Sequence, residues 1–235
     1  MLWSAFILCQ TSGWHTALHS MESTRTIVVY LYPGMTALDA IGPYEILRGL
    51  PGAVVQFVAR QRGPVTVDST FLRLQADLSC DEVTRADILV VPGGNAPAQM
   101  RNPDTLAWLR CLYPTTRWTL SVCTSSLILA AAGILTGGEA ATHWSARGML
   151  RQFGITPSQA RVVRRGNILT AAGVSAGIDA ALTLAALDCG QETAELMQLF
   201  IEYAPQPPFT AGTPETAGPG IVARAEAFLR RDAAP

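Results

Sequence analysis

Among the side chains that could do chemistry in this 235-residue chain, one stands out by its position. Cys123 follows the β-forming run RWTLSV and opens the small-residue pattern TSSLILAAAG, the strand-to-helix step at which a nucleophile is projected out of a sheet. Amide groups at a helix start favour an anion, so the thiol pKa is expected to fall below its ordinary value of about 8.5. Thr124 and Ser125 come next and offer free N–H groups that can hold a developing anion, although with Ser126 they also suit plain helix capping. Gly93-Gly94, after ADILVVP, lets backbone approach a ligand and supplies further donors; the same pair also makes an ordinary turn. Asp39, flanked by Leu38, Ala40 and Ile41, is partly desolvated, which suits a general acid and base, while a helix cap is its other use. His143 is the only candidate for a Cys-His dyad, yet a lone histidine is more often a hydrogen-bonded structural residue. Glu45 pairs more naturally with Arg48, and Cys80, Cys111 and Cys189 lack the strand-to-helix setting and read as structural.

Composition removes other chemistries. There is no lysine: all 17 basic side chains are Arg, which excludes Schiff-base, pyridoxal phosphate, Ser-Lys and P-loop enzymes. His15 and His19 fall in the first twenty residues, and the one remaining histidine cannot build a zinc site, so no metal or organic cofactor is expected. Five cysteines without CxxC spacing fit reduced thiols in the cytoplasm rather than a disulfide framework. A net charge of -1 lacks the basic excess that phosphate backbones attract, and no apolar run is long enough to span a bilayer. The expected partner is a small-molecule substrate, with neither nucleic acid nor membrane.

The elements that must position these residues alternate. β-branched runs at 26–31, 54–59, 86–91 and 117–122 are interleaved with helical patterns at 38–50, 103–112 and 124–132, the signature of a doubly wound parallel sheet sandwiched by helices. In the first helix, Pro43 is expected in the opening turn and Gly49 near the end. Residues 65–74 read as an exposed hairpin, 140–143 as a short strand, 145–153 as a helix, and 161–170 as a strand pair about Gly166-Asn167. Helices follow at 178–187, 192–203 and 221–231, the last after a Pro/Gly-rich stretch at 205–219. Residues 1–22 read as an extension outside the fold, and 23–235 as one α/β domain. Ligands of such sheets bind beyond the carboxyl ends of the strands, which gathers the loops at 32–39, 92–95 and 121–126: a carboxylate, a glycine-rich turn and a thiol.

These residues carry a resemblance. Tyr32-Pro33-Gly34 with Leu38-Asp39 and Gly42-Pro43, then Val90-Val91-Pro92-Gly93-Gly94, then Ser121-Val122-Cys123-Thr124 resemble the PfpI-like branch of the class I glutamine amidotransferase-like superfamily. Ala141-Thr142-His143-Trp144, Gly177-Ile178-Asp179 and Ile201-Glu202-Tyr203-Ala204-Pro205 are similar to the isonitrile hydratases within that branch. The resemblance implies a dimeric flavodoxin-like sandwich with Cys123 as nucleophile, Asp39 as acid/base partner and Thr124 beside them. It implies hydration of an isonitrile to an N-substituted formamide, without a cofactor. Related domains carry glyoxalase or deglycase chemistry on reactive carbonyls, or sense ligands in regulators of the AraC type; the single helix after Pro219 is too little for a DNA-binding module. Thr124 replaces the histidine that protease-like relatives place after the nucleophile, so peptidase activity is not expected. Ser125 stands where the family pattern has Gly and is expected to reshape the pocket.

Overall fold

The computed structural model describes residues 24–232; the expected N-terminal extension, with Cys9, His15 and His19, lies outside the described residues. Strands β1 (Arg25–Tyr30), β2 (Ala53–Ala59), β5 (Leu78–Ser79), β6 (Ile88–Val91), β7 (Trp118–Val122), β10 (Val162–Arg165) and β11 (Ile168–Ala171) form one seven-stranded sheet. Its order is β10-β11-β7-β6-β1-β2-β5, parallel throughout except for the β10–β11 hairpin at one edge. The central strands β6, β7 and β11 are buried along their whole length, as apolar runs covered on both faces must be. Strands β3 (Gly63–Thr66) and β4 (Arg73–Ala76) form a separate antiparallel hairpin, and β8 (Glu139–Ala140) pairs with β9 (Thr156–Pro157) in a third small sheet.

Helices α1 (Ala37–Leu47), α6 (Ala176–Cys189) and α7 (Gln191–Phe200) pack together in one layer. A second layer is built from α2 (Ala96–Met100), α3 (Pro103–Leu112), α4 (Ser125–Ala131) and α5 (Arg147–Gln152). Two helices, α8 (Pro214–Ala217) and α9 (Pro219–Asp232), complete the described chain. Among the described residues no helix is long and apolar enough to cross a membrane, and no three His, Cys, Asp or Glu side chains gather as metal ligands.

Two local expectations need correction. Pro43 is not in the opening turn of its helix but in the interior of α1, where it withholds an N–H from the carbonyl of Asp39 four residues back. Pro43 is buried there, with its ring packed against Gly177 of α6. Of the stretch at 140–143 only Ala140 is strand, in β8 with Glu139, and it pairs with β9 rather than with the main sheet. The short elements β5 and α2 were not expected from the sequence pattern.

At the end of the sheet away from the strand carboxyl termini, Asp188 closes the domain. Its fully buried carboxylate pairs with Arg25 at 2.6 Å and Arg117 at 2.9 Å and accepts the Trp118 indole N–H at 2.9 Å. One side chain of α6 thereby ties down the starts of β1 and β7. Removing a buried partner strands the groups it satisfied, so Asp188→Ala should cost about 3 kcal/mol in a denaturant titration. Because the chemistry-bearing loops lie at the opposite strand ends, substrate affinity in the folded variant should change by less than about twofold.

Candidate active site

The loops after β1, β6 and β7 converge at the carboxyl ends of the strands and bring Asp39, Gly93-Gly94 and Cys123 together. Cys123 has a left-handed backbone with φ of 62°, the sharp elbow expected where a strand turns directly into a helix. Its N–H donates to the Ala171 carbonyl at 3.1 Å, and its own carbonyl accepts the Thr142 hydroxyl at 3.1 Å and the His143 N–H at 3.4 Å. The strained backbone is therefore held from three sides.

Asp39 lies in the first turn of α1 with no measurable exposure, and is not the residue that caps the helix. Its Oδ2 accepts the Gly93 N–H at 2.9 Å, while Oδ1 has no aligned hydrogen bond among the described residues. Burial pushes its carboxyl up to about 7, against an opposing pull from Gly93 and from the Cys123 thiol. The Cys123 thiol is pushed well above the ordinary range, by burial first and by the neighbouring carboxylate second. This overturns the expected depression: the Thr124 N–H at the helix start does favour the thiolate, but desolvation and Asp39 outweigh it. The pair thus rests with sulfur protonated and a carboxyl that exchanges its proton near neutrality.

The two glycines are required by the protein's own packing. A β-carbon on Gly93 would stand 2.6 Å from the Thr124 nitrogen and 2.8 Å from the Cys123 β-carbon. Gly94, at φ of 114°, abuts the backbone of 34–36 in the same way. Their N–H groups are engaged too, Gly93 on Asp39 and Gly94 on the Thr124 hydroxyl at 2.9 Å, which returns its proton to the Gly94 carbonyl at 3.1 Å. Thr124 therefore latches the β6 loop onto the elbow. The Ser125 hydroxyl, fully buried, turns into the sheet among Ser121 at 2.8 Å, the Val91 carbonyl at 2.6 Å and the Val122 carbonyl at 2.8 Å.

His143 does not form a dyad. Its ring bonds the Ser145 hydroxyl at 2.7 Å and lies against Gly173, while burial and Arg147 lower its pKa. Glu45 pairs with Arg48 at 2.8 Å as expected. Two contributors went unrecognised in the sequence. Tyr32, buried beside Asp39 and Cys123, donates its hydroxyl to the Pro92 carbonyl at 3.0 Å and fixes the glycine loop. Thr142 steadies the elbow, and the run Ala141-Thr142-His143-Trp144 hinted at it without separating the hydroxyl from the imidazole.

With this geometry in place, comparison with known proteins is informative. The DJ-1/PfpI family model matches residues 25–187, from the first strand to the end of α6. The chain belongs to the DJ-1/PfpI family. Across 206 residues it is 43% identical to a protein named isonitrile hydratase from Pseudomonas putida, covering 87% of this chain and 88% of that one. A solved structure of a THiJ/PfpI family protein from Pseudomonas syringae superposes with a TM-score of 0.83 at 35% identity, covering 96% of both chains. A deglycase of Pyrococcus horikoshii is 29% identical over 133 residues, 55% of this chain and 79% of its own. The flavodoxin-like sandwich expected from the sequence is thus the architecture of a DJ-1/PfpI domain.

Two outcomes follow from the site. A carboxyl whose folded pKa is about 7 against an ordinary 3.8 favours folding most below pH 4 and loses that contribution as pH rises to 7. Asp39→Asn should therefore match the parent's stability near pH 4 and exceed it above pH 7, by at most about 4 kcal/mol, in thermal melts across that range. Gly93→Ala should displace the elbow, lowering the alkylation rate of Cys123 or the turnover at least tenfold while far-UV circular dichroism is retained.

Proposed function

We propose that this chain hydrates isonitriles to N-substituted formamides through a covalent intermediate on Cys123. The observation that carries the reading is the buried Cys123–Asp39 pair, a protonated thiol beside a carboxyl that titrates near neutrality, with the His143 imidazole engaged by Ser145. The 43% identity with the Pseudomonas putida isonitrile hydratase supports the substrate class.

The terminal carbon of an isonitrile, R–N≡C, becomes electrophilic when it gains a proton. The Asp39 carboxylate takes the proton from Sγ and passes it to that carbon while sulfur attacks the same atom. One S–C and one C–H bond form, the triple bond becomes C=N, and the product is the thioimidate Cys123–S–CH=N–R. Water then adds to the carbon, with Asp39 taking one water proton and delivering it to nitrogen. The adduct Cys123–S–CH(OH)–NH–R gives up its hydroxyl proton to Asp39 as the S–C bond breaks. The formamide leaves, and the thiolate, steadied by the Thr124 N–H, regains its proton from Asp39. The sum is one isonitrile and one water to one formamide, using side chains and water alone.

Because Asp39 must be ionised to accept the thiol proton, kcat/KM should rise with pH through about 7 and hold until the thiol itself titrates. Formamide production from a simple alkyl isonitrile, measured by chromatography, checks this. Cys123→Ala should give none, and Asp39→Asn should lose roughly 100- to 10,000-fold and the rising limb with it. Full activity of Cys123→Ala overturns the mechanism. Absence of formamide from the unmutated protein, with methylglyoxal consumed instead, overturns the substrate in favour of reactive carbonyls.

A further inference from the structure

The β3–β4 hairpin lies outside the main sheet, yet it is bonded to the loop that carries Asp39. Gly34 donates its N–H to the Thr66 carbonyl at 3.0 Å, Asp68 donates its N–H to the Met35 carbonyl at 2.9 Å, and the Thr36 hydroxyl donates to Asp68 Oδ2 at 2.7 Å. Asp68 Oδ1 in turn accepts the Ser69 N–H at 2.8 Å, which fixes the carboxylate's orientation. On its other side the same loop is zipped to the glycine turn: Thr36 N–H donates to the Gly93 carbonyl at 3.0 Å, and Asn95 N–H to the Gly34 carbonyl at 2.9 Å. Thr36 is the residue that opens α1, and its carbonyl accepts the Asp39 N–H at 3.2 Å. A continuous chain of bonds therefore runs from the Asp68 carboxylate through Thr36 to Asp39.

We propose that Asp68 is a positioning residue of the active site, holding the start of α1 through Thr36 and presenting a second negative charge to Asp39. The inference rests on the acid/base role given to Asp39 above. A like charge disfavours ionisation of a neighbouring carboxyl, so Asp68 favours the protonated form of Asp39 and adds, more weakly, to the effect of burial. The groups that act on Asp39 from the surrounding elements are Cys123 at the β7–α4 elbow, the Gly93 N–H of the β6 loop, and Asp68 of the hairpin; Tyr32 at the end of β1 responds to the same charges. Asp68 alone of these is exposed, so its influence, unlike theirs, is open to screening by salt. The hairpin thereby gives the buried pair an adjustment that ionic strength can reach.

The two parts of this role separate by substitution. Asp68→Asn keeps an oxygen for the Thr36 hydroxyl and removes the charge, whereas Asp68→Ala removes both. The direct readout is the titration of the Asp39 carboxyl by carbon-13 NMR of protein labelled at aspartate Cγ, with the resonance assigned through Asp39→Asn. In Asp68→Asn the Asp39 midpoint should fall by roughly 0.5 pH unit at low salt and converge on the parent's at 1 M salt. The rising limb of isonitrile turnover should move by the same amount. Asp68→Ala should show the same midpoint shift and, in addition, a plateau rate at least threefold lower, because the brace on α1 is lost. An Asp39 midpoint that stays put in Asp68→Asn overturns the proposal whatever the turnover does. A midpoint that shifts while the turnover limb does not supports the action of Asp68 on Asp39 and counts instead against Asp39 as the acid/base of isonitrile hydration.

Discussion

A carboxyl withdrawn from water and set beside a thiol is the constraint from which the rest of this structure follows. Asp39 keeps one backbone hydrogen bond, from Gly93, in a place where an ionised group is costly. Holding it there requires three loops to meet within hydrogen-bonding distance, and that requires the backbone of the β6 loop to lie against the elbow without any side chain between. The parallel sheet provides the meeting point because its strands deliver their loops to one edge. Tyr32, Thr124 and Thr142 then fasten the loops to one another, each through a hydroxyl that bonds backbone.

The electrostatics differ in kind from a thiol–imidazole couple. There, proton transfer creates opposite charges that attract, and the thiolate is the resting form. Here both members of the pair become anions when ionised, so only one can be charged comfortably, and the proton is shared instead of surrendered. The arrangement stores the nucleophile's proton until something can receive it. A substrate that needs a proton at the same atom that sulfur attacks is the natural complement to such a store.

Much of this was legible in the sequence, and what was not has a physical explanation. Cys123 and Asp39 stood out because the step from strand to helix and an acidic residue among apolar ones are local signals. The direction of the thiol's titration was illegible, since the helix-start rule is local while burial and the facing carboxylate arise from elements 80 and more residues apart in the chain. Gly93-Gly94 signals close approach of the backbone without saying to what, and in the structure it abuts the protein's own backbone. Ser125 looked like a pocket residue because sequence gives its position on α4 and not which way the hydroxyl turns. Pro43 was drawn toward the helix start by a rule of propensity that packing against α6 overrides. Strand β5, two residues long, and helix α2, five, are too short to carry a periodicity.

The Asp188 junction also bears on how such a chain can vary. By joining Arg25, at the first strand, to the penultimate residue of α6, it ties the beginning of the sheet to the end of that helix at a single corner. Beyond Cys189, α7 still supplies Ala194 and Met197 to the core, whereas among the described residues nothing after Ile201 joins it. Changes confined to the stretch that carries α8 and α9 lie outside the strand order and the elbow, so that stretch is free to diversify while the chemistry stays fixed.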